Sequence, residues 1–239
     1  MGKGSGTGWD IGSEIKGALH SICRRSPTVF DVGANVGDWS ELLKQSLPDS
    51  RIFQFEPSPT CHPFIERRRL TNSTLVPCAL GEAKGKVIFN YCTDADVSAS
   101  IHKRRDTPFK SRAYRQMEVP VDTLDNIISE HCIDFVDFLK MDAEGHELFV
   151  LRGAKISFAA RRIGALSFEF GSSNVNSRTY FRDFWEILSE SGFSIARVTP
   201  GGQLVSIDEY YEDLEYFRGA TNYIAMLTNH PFLIKTPIR

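Results

Sequence analysis

Residues Thr28 to Gly37 read T-V-F-D-V-G-A-N-V-G. Val29, Phe30 and Val32 are β-branched or aromatic and form the short apolar run of a buried strand. The run breaks at Gly33, passes Ala34, Asn35 and Gly37, and enters an amphipathic segment from Trp39 to Leu47. Strand, glycine turn and helix start together make a cradle for a nucleotide-like ligand, because the turn lets the backbone come close and the helix start presents free N–H groups.

Working outward, the same alternation continues on both sides. Ile11 to Cys23 has apolar residues at helical spacing and ends before Pro27. Arg51 to Glu56 is a second strand, followed by a helix to about Leu70. Thr74 to Ala79 is a third strand. Strands alternating with helices imply a parallel sheet with right-handed crossovers and helices on both faces. The pattern then changes. Lys86 to Tyr91 alternates as a strand, Thr93 to Gln116 shows no periodicity, and Glu118 to Val121 is a short strand before Asp122, which is expected to cap a helix from Leu124 to His131. Alternation resumes with a strand at Val136 to Met141, a helix from about His146 to Leu151, a strand at Ile163 to Phe170 and a helix from Tyr180 to Ser191. Phe193 to Val198 and Tyr223 to Leu227 close the chain as an antiparallel pair at one edge. The expected layout is a flexible tail over residues 1–10, then one α/β domain over 11–239 with an inserted hairpin and loop segment at about 82–121.

Composition narrows the function classes. The 239 residues are 41% hydrophobic and 24% charged, as in ordinary globular domains, with a net charge of −2. Such a balance does not predict nucleic-acid binding. No apolar run reaches the length of a membrane span, and residues 1–8 lack the apolar core of a signal peptide. Five cysteines, at 23, 61, 78, 92 and 132, are odd in number and include no C-x-x-C pair. That excludes a disulfide framework and a structural zinc site as expectations and points to the reducing cytoplasm.

Three places carry chemistry. Asp31, just before the turn, suits a cationic ligand. A dinucleotide fingerprint would need glycines where Asn35 and Asp38 stand, which turns the loop away from nicotinamide cofactors. Glu56 ends the second strand and can accept two ribose hydroxyls. In L-K-M-D-A-E-G-H-E, Leu139 to Glu147, Asp142 and Glu144 follow an apolar strand and fall at the same sheet edge as the glycine turn. Either could deprotonate a hydroxyl, or share a divalent cation with Glu169 at the end of the next strand. One of them is expected to cap the helix that follows. His146 reads as a first-turn surface histidine, and Lys140, inside the strand, needs a partner.

These strings together resemble a family. D-V-G-A-N-V-G at 31–37, F-E-P at 55–57, C-A-L-G at 78–81, V-P-V-D-T-L-D at 119–125, L-K-M-D-A-E-G-H-E at 139–147 and N-Y-I-A at 222–225 are similar to the FkbM family of S-adenosylmethionine-dependent methyltransferases. The resemblance spans roughly Val29 to Leu227. It implies a Rossmann-like methyltransferase fold and O-methylation of hydroxyls on sugars or natural products. By the same resemblance Asp31, Gly33, Ala34, Asn35, Gly37 and Glu56 would bind the cofactor, with Asp142 beside it, and Ala79 and Leu80 would lie near the adenine. V-S-A-S-I, from Val97 to Ile101, matches the family's serine-rich segment only loosely.

The inserted segment is the expected acceptor element. His102, Arg104 and Arg105 open a stretch that also holds Lys103, Lys110, Arg112 and Arg115 against the single acid Asp106. An acidic acceptor, such as a uronate, a phosphate-linked sugar or a nucleic acid, suits that charge. A solvated loop is the plainer account. Asp208, Glu209, Glu212, Asp213 and Glu215 stand with no base among them and read as a solvated face beside Tyr210, Tyr211 and Tyr216, or as a partner for the basic segment. Two other functions remain in view from the residues alone: a nicotinamide-dependent oxidoreductase, and a non-enzymatic domain that keeps the fold and binds a partner through the basic segment.

Overall fold

The computed structural model describes residues 11–92, 98–105, 111–217 and 219–230. The expected tail at 1–10 lies outside them, as do Lys110, Asp106 and Val97. In chain order the elements are α1 (Ile11–Ser21), β1 (Thr28–Val32), α2 (Asp38–Ser46), β2 (Arg51–Phe55), α3 (His62–Arg68), β3 (Ser73–Val76), β4 (Ala79–Leu80), β5 (Gly85–Tyr91) and β6 (Arg115–Asp122). They continue with α4 (Leu124–Glu130), β7 (Val136–Met141), α5 (Glu147–Arg152), α6 (Lys155–Ala159), β8 (Ile163–Phe170), α7 (Ser172–Ser177), α8 (Phe181–Glu190), β9 (Phe193–Val198), β10 (Leu204–Ile207) and β11 (Thr221–Leu227).

The main sheet has the order β10-β9-β11-β8-β7-β1-β2-β3. From β8 to β3 every pairing is parallel, and β11 joins β8 and β9 antiparallel. Strand alternation divides the core into two layers. Val29 of β1, Ile52 of β2 and Phe138 of β7 pack with Ile15, Trp39 and Leu43 from α1 and α2. Phe30, Phe53, Phe55 and Leu139 face the other way, onto Leu124, Ile128 and Leu148 from α4 and α5. Phe30 sits 5.3 Å from Phe53 and 5.1 Å from Phe55, ring to ring. Each such fully buried phenylalanine contributes about 1.5–3 kcal/mol of apolar burial. The order in sequence of the neighbours β7, β1 and β2 places the crevice at the carboxyl end of β1, where connections leave in opposite directions.

Four expectations are corrected. Thr74 to Ala79 is not one strand. Pro77 cannot donate to a ladder, the chain turns with Cys78 N–H bonding Val76 O at 2.8 Å, and Ala79–Leu80 enters a second sheet of order β4-β6-β5. The cap of α4 is Thr123, whose hydroxyl accepts from Asn126 N–H at 3.1 Å; Asp122 instead accepts from Thr123 N–H and pairs with Lys84. The final antiparallel pair is present, but β10 takes the edge outside it. The T-P-G-G-Q turn before β10, with Gly201 and Gly202 at positive φ, was a readable hairpin signal. The acidic stretch is likewise not all solvated. Glu215 accepts from Phe181 N–H at 2.8 Å and Arg182 N–H at 2.9 Å, so it closes the start of α8. Among the described residues, no helix is long and apolar enough to cross a membrane.

Candidate active site

The carboxyl ends of β1, β2 and β7 meet at Gly33. Its N–H and that of Ala34 both bond Phe55 O, at 3.0 and 3.1 Å. Its φ is +74°, and a Cβ there would lie 1.9 Å from the carbonyl oxygen of Asp142. Only glycine lets β1 and β7 close so tightly. Asn35 follows at φ +48°, with its N–H on Glu56 Oε2 at 2.8 Å, while Ser58 N–H holds Glu56 Oε1 at 2.7 Å. Glu56 is buried, and burial raises its carboxyl above the ordinary value against those bonds. Gly37, at φ +84°, is the residue before α2.

This turn forms one wall of a cavity of about 620 Å³. Of the residues expected from sequence, Gly33, Ala34, Asn35, Glu56, Ala79, Leu80, Asp142, Glu144, Glu169 and Arg104 line it; Asp31, Gly37, His102 and Arg105 do not. Asp31 is fully buried beneath the floor, where it accepts from Ser40 Oγ at 2.6 Å and pairs with Lys140 Nζ at 3.0 Å. Lys140 thereby has the partner it required. Its ammonium also reaches Gly33 O at 3.1 Å and stands 3.9 Å from Asp142 Oδ2. Burial by itself would lower this ammonium's pKa, but Asp31, Asp142 and Glu14 outweigh it and the net shift is upward. Lys140 thus locks a positive charge under the cradle.

Carboxylates gather around the cradle. Glu14, which no sequence signal assigned to the site, comes over from α1 and accepts from Asn222 Nδ2 at 2.9 Å. Burial, then the Asp142 charge, push it up to about 7. Glu169 is raised well above the ordinary value by burial, with Asp142 and Glu144 adding to it. Glu147 is buried, with one oxygen accepting from Ala143 and Gly145 N–H, and burial lifts it to about 7. Asp142 is the more open of the group, its side chain 40% exposed. Among the described residues no group of three or more His, Cys, Asp or Glu is placed to hold a metal ion, so the shared divalent cation has no ligand set.

The segment 98–105 packs over the D-A-E-G turn. Ser100 Oγ donates to Glu144 O at 2.9 Å, and Arg104, only 6% exposed, pairs with the Glu144 carboxylate and bonds Ser172 Oγ at 3.2 Å. Glu144 is therefore held by a guanidinium. His146 is buried, not a surface residue: it lines the cavity, stacks on Phe149 at 4.6 Å and meets His102 Nε2 at 3.0 Å. Burial, helped by His102, lowers its pKa to about 3, so it is a neutral imidazole.

A family model described as a methyltransferase FkbM domain matches residues 31–195. The chain belongs to the FkbM methyltransferase family. Curated relatives include methyltransferase sdnD of Sordaria araneosa, 24% identical and aligned over 54% of this chain and 60% of its own length. Another is the 2-O-methyltransferase NoeI of Sinorhizobium fredii, 26% identical over 57% of this chain and 60% of its own. The chain thus spans about 60% of the length of these relatives. The human methyltransferase 10 domain containing protein is similar in fold at a TM-score of 0.50, with 14% identity, covering 91% of this chain and 81% of that one. The fold is the Rossmann-like methyltransferase fold. The FkbM match begins at Asp31 and ends at Ile195, so Gly33, Glu56, Asp142 and Glu169 lie inside it, whereas Glu14, bonded by Asn222, reaches the same cavity from outside the matched residues.

Proposed function

We propose that this FkbM protein is an S-adenosylmethionine-dependent O-methyltransferase acting on a hydroxyl of a saccharide or natural-product acceptor. The observation that carries the proposal is the cradle at Gly33, closed on Asp142 O, with Glu56 on one side and an acid-lined wall on the other. The residues fit the cofactor. Glu56 keeps lone pairs for a ribose diol, Ala79 and Leu80 supply an apolar slot for an adenine, and the Gly33 backbone with Ala34 and Asn35 leaves room for the methionine part. Asp31 acts through Lys140, and Gly37 acts by starting α2. When bound, S-adenosylmethionine supplies a methyl group activated on a sulfonium.

The chain's own residues do the rest. Asp142, the open carboxylate, takes the hydroxyl proton. Glu169, raised well above the ordinary value by burial, holds a proton and donates a hydrogen bond to an acceptor oxygen, and Glu14, pushed up to about 7, shares that role as pH falls below neutral, so one cluster of acids divides into two roles. Glu144 anchors Arg104, and with His102 and Arg105 this forms the acceptor side, suited to a small acceptor with acidic character. That NoeI is described as a 2-O-methyltransferase supports oxygen as the acceptor atom. The proposal treats 11–239 as one unit with 82–121 inserted, and five free cysteines support a cytoplasmic setting.

Calorimetry tests the proposal. S-adenosylhomocysteine should bind with one site, and a mass-shift screen with S-adenosylmethionine against a saccharide panel should yield a methylated product. No binding of either compound, or saturable NADH binding in their place, would end it.

A further inference from the structure

One buried titratable side chain in the main cavity takes no part in the proton transfer. His146 immediately precedes α5, is only 8% exposed and lines the cavity. Its ring stacks on Phe149 at 4.6 Å, and its Nδ1 meets His102 Nε2 at 3.0 Å. Among the described residues its other nitrogen, Nε2, has no hydrogen-bond partner, and it is not one of the fully enclosed atoms. The imidazole places Nε2 beside Gly81, where a Cβ would meet it at 3.1 Å. Burial keeps the ring neutral, so one of its nitrogens carries a free lone pair.

The path of the chain ties this nitrogen to the ribose site. Glu56 N–H bonds Val76 O at 3.2 Å, and Cys78 N–H bonds the same carbonyl at 2.8 Å. Glu56, Ala79 and Leu80 therefore follow one another along the cavity wall, and His146 comes next, beside Gly81. Leu80, Phe89 and Ile101, which line the same cavity, are apolar. A flat base between such side chains buries its polar edge, and a donor left unpaired there costs binding. His146 supplies the polar atom that the apolar lining lacks.

We propose that His146 reads the base of the cofactor, its Nε2 accepting a hydrogen bond from the 6-amino group of adenine. Nδ1 then carries the ring proton and donates it to His102 Nε2, which fixes the tautomer. Glu56 holds the ribose at one end of the slot, and His146 tests the base at the other. A 6-oxo purine presents an oxygen at that position, facing the Nε2 lone pair with no proton between them, so the site selects adenine by rejecting the alternative. The assignment rests on the methyl-transfer proposal, to which the adenine slot belongs.

Calorimetry on the full chain at neutral pH tests it with three ligands: S-adenosylhomocysteine, the analogue whose purine lacks the 6-amino group, and the 6-oxo analogue S-inosylhomocysteine. The parent chain should bind the first about tenfold tighter than the second, and the third more weakly still. His146→Leu should weaken S-adenosylhomocysteine about tenfold and leave the other two within about twofold, so that the preference collapses. His146→Gln, whose amide oxygen can stand in for Nε2, should keep part of it. A merely structural histidine would lower all three affinities together in both variants, and that result overturns the assignment. So does a preference that survives His146→Leu, whatever happens to the acceptor KM. Nitrogen-15 NMR of the parent chain gives a readout that needs no variant. The His146 Nε2 resonance should move on adding S-adenosylhomocysteine and move far less with the analogue lacking the amino group; equal shifts overturn the assignment. If S-adenosylhomocysteine does not bind the parent chain, the methyl-transfer proposal falls and takes this one with it. If it binds without discriminating the three bases, this assignment falls alone.

Discussion

On the β1–β2–β7 side the cavity wall is backbone. Amides of Gly33 and Ala34 share one carbonyl, Gly33 has no room for a methyl, and Lys140 braces the floor from below. On the side of the second sheet the wall is side chain. Arg104 reaches Glu144 across 40 residues of sequence, His102 reaches His146 across 44, and Arg112 is held by a serine. The first wall can be altered only by breaking the sheet end. The second can change residue by residue while the fold persists. A cofactor common to a family fits a backbone wall, and an acceptor that differs between members fits a side-chain wall.

The strongest way to break the contrast is Gly33→Ala. Its methyl would lie 1.9 Å from Asp142 O at φ +74°, so a loss of about 4 kcal/mol or more in urea denaturation is expected, together with S-adenosylhomocysteine binding. A native-like variant would mean that this wall is pliable. Next is Lys140→Met, which leaves the buried Asp31 carboxylate without its cation. It should cost roughly 3 kcal/mol, with part recovered by adding Asp31→Asn. Asp142→Asn sharpens the comparison at the junction of the walls. Turnover should fall roughly 100-fold, while S-adenosylhomocysteine affinity stays within a few-fold. Equal loss of both would make Asp142 a binding residue.

The mildest test is pH. His146 has a folded pKa of about 3 against an ordinary 6.5, so the unfolded chain takes up its proton first. Its contribution is complete at neutral pH and is lost as pH falls below about 6.5 toward 3, about 2 kcal/mol between pH 7 and pH 5. Glu14 and Glu147, raised from 4.5 to about 7, act oppositely: their contribution is present below 4.5 and is lost as pH rises through 7. Subtracting the His146→Gln profile from that of the parent chain isolates the histidine. A difference that stays flat from pH 7 to pH 5 would mean that the His102–His146 contact opens before it titrates.

Much of the first wall was legible. V-F-D-V-G and F-Q-F-E carry strand, break and acid in consecutive residues, and local sterics at Gly33 follow from a positive φ that glycine alone adopts freely. The D-A-E-G edge was legible for the same reason. What failed to show was non-local. Glu14 looked like any acid in the first turn of an amphipathic helix, and nothing in the sequence said that α1 would return over the sheet end. His146 followed an apolar strand and looked exposed because its cover, His102 and Phe149, comes partly from a segment without periodicity. Pro77 was the visible warning that β3 stops and that Ala79–Leu80 belongs elsewhere.

The sequence by itself determined the alternating α/β order, the glycine cradle and the family, because strand, turn and cap chemistry act over a few neighbouring residues. Tertiary structure alone decided that Asp31 serves beneath the cavity through Lys140, that Arg104 takes Glu144, and that Glu14 joins Glu169 and Asp142. Burial and through-space charge set those roles, and both depend on which distant segments come to lie within a few ångströms of one another.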